Sequence, residues 1–300
     1  MVHIVTVHWQ DDRWIDVQLK YLRANIRTFP FKVYAFLNGL RVDHSSKFFY
    51  SSTEPIASHA VKLNLLADMA AFNAEHDEDL LIFIDGDAFP VGDVIEFARS
   101  KLSEYPLIAI QRRENAGDIQ PHPSFCLTTI GFWKEIKGDW KPGFKWRNSR
   151  GDYVTDIGGN LLKILAERSI SWFPMLRSNR RDLHPLWFGL YEDIVYHHGA
   201  GFRPAVSRAD VARLNPVSYL CFQKIRRYPH TLGRLIPKRF QPEEAIIREN
   251  DHLSEQVFAS ILSDFLFYRR FKEDDWSRQQ DASRHSGFVD STHNRNGESL

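Results

Sequence analysis

A buried strand that ends in two acidic residues is the feature of this sequence that most constrains its fold. The unbroken apolar run at residues 80–84 follows the charged stretch at residues 76–79, which is typical of a central strand. The run ends at Asp85-Gly86-Asp87. Ligands bind at the carboxyl ends of strands in open α/β sheets, and residues two apart in an extended chain point to the same side. The two carboxylates therefore predict a notch for a hard divalent cation with oxygen ligands.

Strand and helix patterns alternate over the first 110 residues of the chain. Apolar residues recur within the predicted helices at the spacing of one helical face, and Ser58 is a suitable N-cap for the second helix. Such alternation predicts an α/β fold, in which a mostly parallel sheet is flanked by helices. The predicted strands are residues 3–7, 32–37, 80–84 and 107–111, and the predicted helices are residues 14–27, 58–73 and 93–102.

The pattern is looser in the rest of the chain. The predicted elements are loops and short strands over residues 112–155, a helix over 155–167, strands at 170–175 and 194–197, and a long helix over 242–272. A chain of 300 residues can form one large domain with an extension. The predicted units are a main domain over residues 1–205, a basic, aromatic and helical C-terminal extension over 206–275, and a disordered tail over 276–300.

The overall composition excludes few classes of function. Hydrophobic residues make up 43% of the chain and charged residues 26%, as in ordinary soluble proteins, and the net charge of +1 indicates no particular partner. Cys126 and Cys221 lie far apart without metal-ligand spacing, so we expect free thiols in a reducing compartment. The sequence contains neither a signal-peptide pattern nor a run of about 18 apolar residues, so we expect a cytoplasmic location.

A basic and aromatic segment lies in the predicted extension. Residues 219–240 carry six lysines and arginines among Tyr, Phe, Leu and Ile side chains. This mixture suits peripheral contact with the anionic inner face of a membrane, or with a lipid-diphosphate acceptor, but a solvated basic face has the same composition. No nucleic-acid motif accompanies the segment, and we expect no nucleic-acid partner.

A second candidate group of site residues lies at residues 197–204, which read His-His-Gly-Ala-Gly-Phe-Arg-Pro. Imidazole is a common metal ligand, and glycines allow the backbone to approach a phosphate closely. Arg203 is suited to neutralise phosphate charge. A simpler explanation is that both histidines are satisfied at a strand end. Together with the two acids, however, the segment indicates a site for a metal-bound diphosphate.

The two groups resemble motifs of the GT-A glycosyltransferases, the nucleotide-sugar-dependent class that has an Asp-x-Asp motif. Asp85-Gly86-Asp87 after the apolar run matches that motif, and residues 197–204 are similar to the late His-x-x-Gly-x-x-Lys-Pro motif of the glycogenin-like branch. The resemblance covers about residues 1–205, which would then form a GT-A catalytic domain. It implies a Rossmann-like sheet, a nucleotide-diphosphate sugar as donor and a bound Mn²⁺ or Mg²⁺.

The resemblance also implies roles for individual residues. Asp87 would bind the metal directly, and Asp85 would face the ribose or a metal-bound water. A histidine would be a further metal ligand. Counting back from Arg203 and the proline after it favours His197, whereas the position of the second glycine favours His198, so both remain candidates. Arg203 would contact the diphosphate.

Nucleotide binding is expected at two further places in the sequence. The end of the first strand, which contains Thr6, Val7 and His8, occupies the position where this class holds the base and ribose. In similar helices of the class a basic residue faces the diphosphate, and Lys62 is the candidate here. A solvated helix face is the alternative for Lys62.

An inverting transferase needs a general base, and Asp156 is the best candidate for it. Asp156 precedes a predicted helix in a loop that contains Gly158 and Gly159, which we assign to the substrate site. Asp156 is also suited to bind a sugar or to cap the helix. Trp187 is a candidate sugar-stacking wall or, alternatively, a core aromatic residue.

The sequence therefore favours a metal-dependent glycosyltransferase that moves a sugar from a UDP- or GDP-sugar to a saccharide or lipid-linked glycan. One alternative is a phosphohydrolase with a nucleophilic Asp in a D-x-D-x-T pattern, but Phe89 occupies the position of the Thr. A non-catalytic nucleotide-sugar-binding module is the other alternative. Donor sugar, acceptor, stereochemistry and oligomeric state are open.

Overall fold

The computed structural model describes residues 1–27, 29–149, 151–180, 187–199 and 242–272, apart from the side chains of 242–246. The strands are β1 (Val2–Trp9), β2 (Phe31–Asn38), β3 (Tyr50–Ser52), β4 (Leu80–Asp85), β5 (Ala88–Pro90), β6 (Leu107–Ile110), β7 (His122–Thr129), β8 (Trp146–Arg147), β9 (Tyr153–Val154), β10 (Phe173–Met175), β11 (Gly189–Tyr191) and β12 (Val195–His197). The helices are α1 (Arg13–Asn25), α2 (His59–Asn73), α3 (Val94–Leu102), α4 (Ile130–Ile136), α5 (Gly159–Glu167) and α6 (Pro242–Ser263), and 3₁₀ turns lie at Ser45–Lys47 and Phe267–Phe271.

The central sheet has seven strands in the order β10-β6-β7-β4-β1-β2-β3. The pairs β1–β2, β1–β4, β2–β3 and β6–β10 are parallel, and only β7 runs antiparallel to its neighbours β4 and β6. Helices cover the sheet, so the predicted α/β fold class is confirmed. β1 lies at the centre, where Val7 pairs with Phe36 on one side and Asp85 on the other.

Alternation along the strands separates two cores, one on each face of the central sheet. Val2 and Ile4 of β1 pack with α1 and α3, whereas Val5 and Val7 pack with α2, α4 and α5. Successive strand residues point to opposite faces, which explains this division. By the same alternation, each residue near the carboxyl ends of β1 and β4 can be assigned either to the α1 face or to the α2 face of the sheet.

A third core forms on the outer side of α1. The small sheet β11-β12-β5 packs there with α6 and with the 3₁₀ turn that follows it. Trp14 and Tyr21 of α1 pack with Val257 and Ile261 of α6 in this cluster. The C-terminal helix is therefore attached directly to the part of the molecule that carries the small sheet. No helix among the described residues is both long and apolar enough to cross a membrane.

Several predicted boundaries shift in the structure. The segment at 112–155, which we predict as loops and short strands, contains the eight-residue strand β7 and the helix α4. The polar residues of β7 obscure its pattern, although the strand is buried between β4 and β6. The predicted helix at 155–167 begins only at Gly159, and the long C-terminal helix ends at Ser263. Ser58 caps α2 as predicted, because its hydroxyl accepts a hydrogen bond from the Val61 amide.

The Phe83→Ala variant should be strongly destabilised. Phe83 is fully buried in β4, and its ring centroid lies 4.6 Å from Trp133 and 5.1 Å from Trp140. Truncation leaves a cavity among these rings, so we expect the free energy of unfolding to fall by about 3–5 kcal/mol in urea denaturation. Phe72→Ala is the control, since Phe72 is 86% exposed, and a change of under about 0.5 kcal/mol is expected. Equal losses in both variants would contradict this account of the core.

Candidate active site

A cluster of two carboxylates and one imidazole lies at the carboxyl edge of the central sheet. Asp85 ends β4, and Asp87 directly precedes β5. β12 pairs antiparallel with β5 and places His197 opposite Ala88. The Nε2 atom of His197 lies 3.4 Å from Asp87 Oδ1 and 3.8 Å from Asp85 Oδ2. One candidate ligand atom from each of the three residues lies within 4.8 Å of the others.

His197 and His198 face opposite sides of β12, and of these two histidines only His197 reaches the carboxylates. The ring of His198 is buried, with its Nε2 atom 2.8 Å from Ser254 Oγ and its Nδ1 atom 3.0 Å from the Tyr196 hydroxyl. Burial lowers the pKa of His198 to about 3. The prediction of His198 as a metal ligand is therefore not supported by its position, because both ring nitrogens face core partners.

The charge around His197 fits a divalent cation. Burial alone would lower the pKa of the His197 imidazole, but the Asp87 and Asp85 carboxylates outweigh it and raise that pKa above 6.5. The raised pKa indicates that the negative charge of the two carboxylates favours positive charge at this position. Carboxylate oxygens and imidazole nitrogen are also ligands that suit Mn²⁺ and, with water, Mg²⁺. The residues present therefore fit the implied metal.

A third histidine contacts the pair from the other side. His59 is the first residue of α2, and its Nε2 atom lies 3.2 Å from Asp85 Oδ1. Its side chain is 32% exposed. The sequence prediction for this helix names Lys62 and not His59. The available signal was the Ser58 cap, because a helix that begins just after a strand end directs its first residues to the carboxyl edge of the sheet.

A small cleft of about 20 Å³ adjoins His197. The loop after β6 contributes Arg112 and Glu114, and the Glu114 carboxylate accepts a hydrogen bond of 2.6 Å from the Tyr191 hydroxyl. These loop residues had no signal in the sequence, since long-range folding alone brings them to the edge. The residues that line the cleft are Arg112, Glu114, Arg177, Trp187, Gly189, Tyr191 and His197.

Trp187 lines this cleft, but its side chain belongs mainly to the core. It is only 2% exposed and packs in the third core, with its ring centroid 5.6 Å from that of Phe188. Its carbonyl accepts a hydrogen bond of 2.9 Å from Arg177. Of the two sequence interpretations, the core aromatic agrees better with this burial.

Asp156 lies at the rim of the site and is linked to the cleft by Arg112. Its Oδ2 atom is 3.3 Å from Arg112 Nη2, and its side chain is 48% exposed. Gly158, and not Asp156, is the N-cap of α5. Gly158 has a φ of 87°, and a Cβ there would clash with the Pro121 carbonyl oxygen. Tight packing therefore explains Gly158, while Asp156 remains accessible for chemistry.

The nucleotide-site candidates on β1 and α2 differ in their access. The side chains of Thr6 and His8 are fully buried and share the α1 face of the sheet by strand alternation, so they lie away from Asp85. The backbone of Val7 pairs with Asp85.

Gly159, the other glycine assigned to the substrate site, is closely packed like Gly158. A Cβ at Gly159 would lie 3.1 Å from the Phe144 carbonyl oxygen.

Lys62 is a buried lysine on the face of α2 that covers the sheet. It is 6% exposed, and its Nζ atom lies 5.9 Å from the centroid of the Phe36 ring. Burial lowers the pKa of Lys62. Within the described part of the chain, Lys62 makes no ion pair with a carboxylate.

Other predictions fall outside the described residues. Arg203, the basic segment at 219–240 and the tail at 276–300 belong to this group, as does Cys221. Cys126 is a buried free thiol, as expected.

No protein-family model matches the sequence, and no curated protein is a significant match. Solved structures are similar at low levels. A nucleotide-diphospho-sugar transferase from Desulfovibrio desulfuricans has 10% identity and a TM-score of 0.40, over 85% of this chain and 98% of that one. A mutant of Drosophila β-1,4-galactosyltransferase 7, in complex with manganese, UDP-Gal and xylobiose, has 12% identity and a TM-score of 0.36. The match covers 67% of this chain and 72% of that one.

The galactosyltransferase LgtC, in complex with donor and acceptor sugar analogs, has 11% identity and a TM-score of 0.32, and the match covers 45% of this chain. This chain spans 60% of LgtC and 30% of Staphylococcus aureus TarS. With TM-scores of 0.40 or less, these likenesses carry no argument about function. The functional argument therefore depends on the geometry of the site.

The affinity for Mn²⁺ should fall as the pH falls. The Asp87 and Asp85 carboxylates, which overcome the effect of burial, keep His197 protonated up to a pKa above 6.5, and a metal binds only the neutral imidazole. Affinity is therefore full above this raised pKa and declines by about tenfold per pH unit below it. Calorimetric titration of Mn²⁺ between about pH 8 and about pH 5.5 measures the slope, above the range in which carboxylates titrate. The His197→Gln variant should bind Mn²⁺ more weakly and lose the slope, and an unchanged slope would contradict the assignment.

Proposed function

We propose that this protein is a metal-dependent glycosyltransferase that uses a nucleotide-diphosphate sugar as donor. The observation that carries the proposal is the convergence of Asp85, Asp87 and His197 at the carboxyl edge of the sheet, with ligand atoms within 4.8 Å of one another. The sugar-transferase neighbours agree with this class at a general level.

Asp85, Asp87 and His197 are the proposed holders of Mn²⁺ or Mg²⁺. When bound, such a metal supplies Lewis-acid stabilisation of the charge that develops on the leaving diphosphate. Asp87 is nearly buried, so its carboxylate is held in place, whereas Asp85 is more open and is proposed to lie nearer the ribose.

The donor nucleotide is proposed to lie over the ends of β1 and β4. The Val7 backbone lies beside Asp85 and is the proposed contact for the base or ribose. Lys62 and Arg203 remain proposed contacts of the diphosphate. His59 is added to this group because it contacts Asp85 at the N-terminus of α2, where the helix dipole favours anions. The buried side chains of Thr6 and His8 are assigned no contact with the donor.

The acceptor, a saccharide or lipid-linked glycan, is proposed to enter from the cleft. Arg112, Glu114 and Tyr191 offer donors and acceptors of the kind that bind sugar hydroxyls. Asp156 is the proposed general base of an inverting reaction. Its exposed carboxylate can accept the proton of the attacking hydroxyl, and Arg112 holds it towards the cleft.

Neither alternative class gains support from the site. A phosphohydrolase of the D-x-D-x-T type needs a Thr where this chain has Phe89, which is fully buried in the third core. A binding module would bind nucleotide without turnover, which the assays below distinguish. A cytoplasmic location, with peripheral membrane contact through residues 219–240, remains part of the proposal.

Metal-dependent nucleotide binding is the first test. In a thermal-shift screen of nucleotide diphosphates, UDP or GDP should raise the melting temperature only when Mn²⁺ is present. The Asp87→Ala variant should lose this shift because it lacks a proposed ligand. Asp77→Ala is the matched control, since Asp77 precedes the same strand β4 at its opposite end and is exposed. Absence of a metal-dependent shift with every nucleotide would overturn the proposed function.

The Asp156→Asn variant tests the general base. With the donor identified by the screen, we expect kcat for nucleotide-diphosphate release to fall by about 10²–10⁴-fold, with little change in the KM for donor. Asp152→Asn is the control, because Asp152 is an exposed carboxylate on the other side of the short strand β9 and bonds to Asn148. If Asp156→Asn keeps the wild-type kcat, Asp156 is not the base.

A further inference from the structure

A fully buried glutamine of α1 lies beneath the turn that carries the two acids. Gln18 has no exposed surface, and its Nε2 atom donates hydrogen bonds to the carbonyls of Asp85, at 2.7 Å, and Ala88, at 2.8 Å. These two carbonyls flank Gly86 and Asp87. One side chain therefore bridges both ends of the turn.

The orientation of the Gln18 amide follows from its partners. Both carbonyls are acceptors, so only the NH₂ group can face them, and the Oε1 atom must point the other way. There it lies 3.2 Å from His8 Nε2, which consequently carries the hydrogen and donates. Burial lowers the pKa of His8 to about 4, in keeping with a neutral ring. His8, Gln18 and the turn thus form one chain of directed hydrogen bonds.

The remaining carbonyl at the acids is also held. The Asp87 carbonyl accepts a hydrogen bond of 3.0 Å from the amide of His198, the residue that follows β12. The turn is therefore held by α1 on one side and by the backbone at the end of β12 on the other. A metal site needs its ligands fixed before the ion arrives, and groups that orient the ligands affect affinity nearly as much as the ligands do.

We propose that Gln18, oriented by His8, is a positioning residue that presets the Asp85 and Asp87 carboxylates for metal binding. The inference rests on the proposed metal-binding role of this pair. Gln18 itself touches neither metal nor substrate. It also gives His8, for which the sequence predicts a place at the nucleotide site, a supporting role on the opposite face of the sheet.

The experiment compares Gln18→Met with a control from the same helix. Methionine keeps the length and volume of the side chain but removes both donors. Asn25→Leu is the matched control, since the Asn25 amide likewise donates to two carbonyls, those of Tyr21 and Pro90, but beyond the far end of the turn. Free Mn²⁺ is measured by electron paramagnetic resonance in titrations of the full chain, and the free energy of unfolding is measured in urea.

Gln18→Met should raise the Kd for Mn²⁺ by about 10–100-fold, the usual effect of losing a group that orients metal ligands. Asn25→Leu should leave this Kd within about twofold even if it destabilises the fold to a similar extent. Equal Kd values in Gln18→Met and wild type, or equal increases in both variants, would overturn the proposal.

Amide hydrogen exchange in the metal-free protein keeps the inference separate from the proposed function. Gln18→Met should speed the exchange of the amides at residues 86–88 by at least about tenfold relative to Asn25→Leu, because the turn opens locally. If Gln18→Met does not fold, His8→Phe keeps an aromatic ring and should produce the same change in smaller measure. Unchanged exchange in the variant that folds overturns the inference. A wild-type protein that binds no Mn²⁺ but shows the exchange difference overturns only the metal-dependent function.

Discussion

The antiparallel pairing of β5 with β12 is the interaction on which the site depends. Only one residue separates Asp85 from Asp87 in sequence, but His197 comes from a distant part of the chain. The three-residue ladder in which His197 pairs with Ala88 and Val195 with Pro90 is what joins them. A strand of this length gains little stability by itself, since isolated short pairs are marginal. Its stability comes from the aromatic core on its outer side, where Phe89 and Tyr196 pack on each other.

The site also concentrates charge at a cost to the metal-free fold. Two carboxylates meet at a partly buried position, and burial of negative charge is unfavourable unless positive charge or hydrogen bonds compensate it. In the metal-free protein the protonated form of His197 offsets this repulsion. A bound divalent cation would replace this proton with a larger positive charge. The proposed metal would therefore offset the same repulsion between Asp85 and Asp87 that protonated His197 offsets in its absence. Gln18 and the His198 amide also hold the turn by hydrogen bonds to its carbonyls.

The sequence allowed the sheet and the acidic pair to be predicted because both depend on local pattern. The run at 80–84 is apolar on both faces, which identifies a central strand, and the acids simply follow it. β7 escaped prediction, since its buried positions include His122, Ser124 and Thr128, and only its neighbours explain why it is inside. Arg112 and Glu114 were missed because loop side chains reach the cleft through tertiary contacts. The role of Gln18 could not be predicted, because the sequence does not distinguish it from the other polar residues of the amphipathic helix α1.

The two consecutive histidines at 197–198 show what selects a ligand at this edge. A slip of β12 by one residue would still present an imidazole to the carboxylates, so the acidic pair alone cannot distinguish the two registers. The slip would, however, turn Tyr196 away from the ring of Phe89 and part His198 from Ser254 of α6. Strand register is specified wherever one face is buried. The packing of the opposite face of β12 therefore decides which histidine is the proposed metal ligand. A core that has no contact with the proposed site thus fixes the position of a side chain within it.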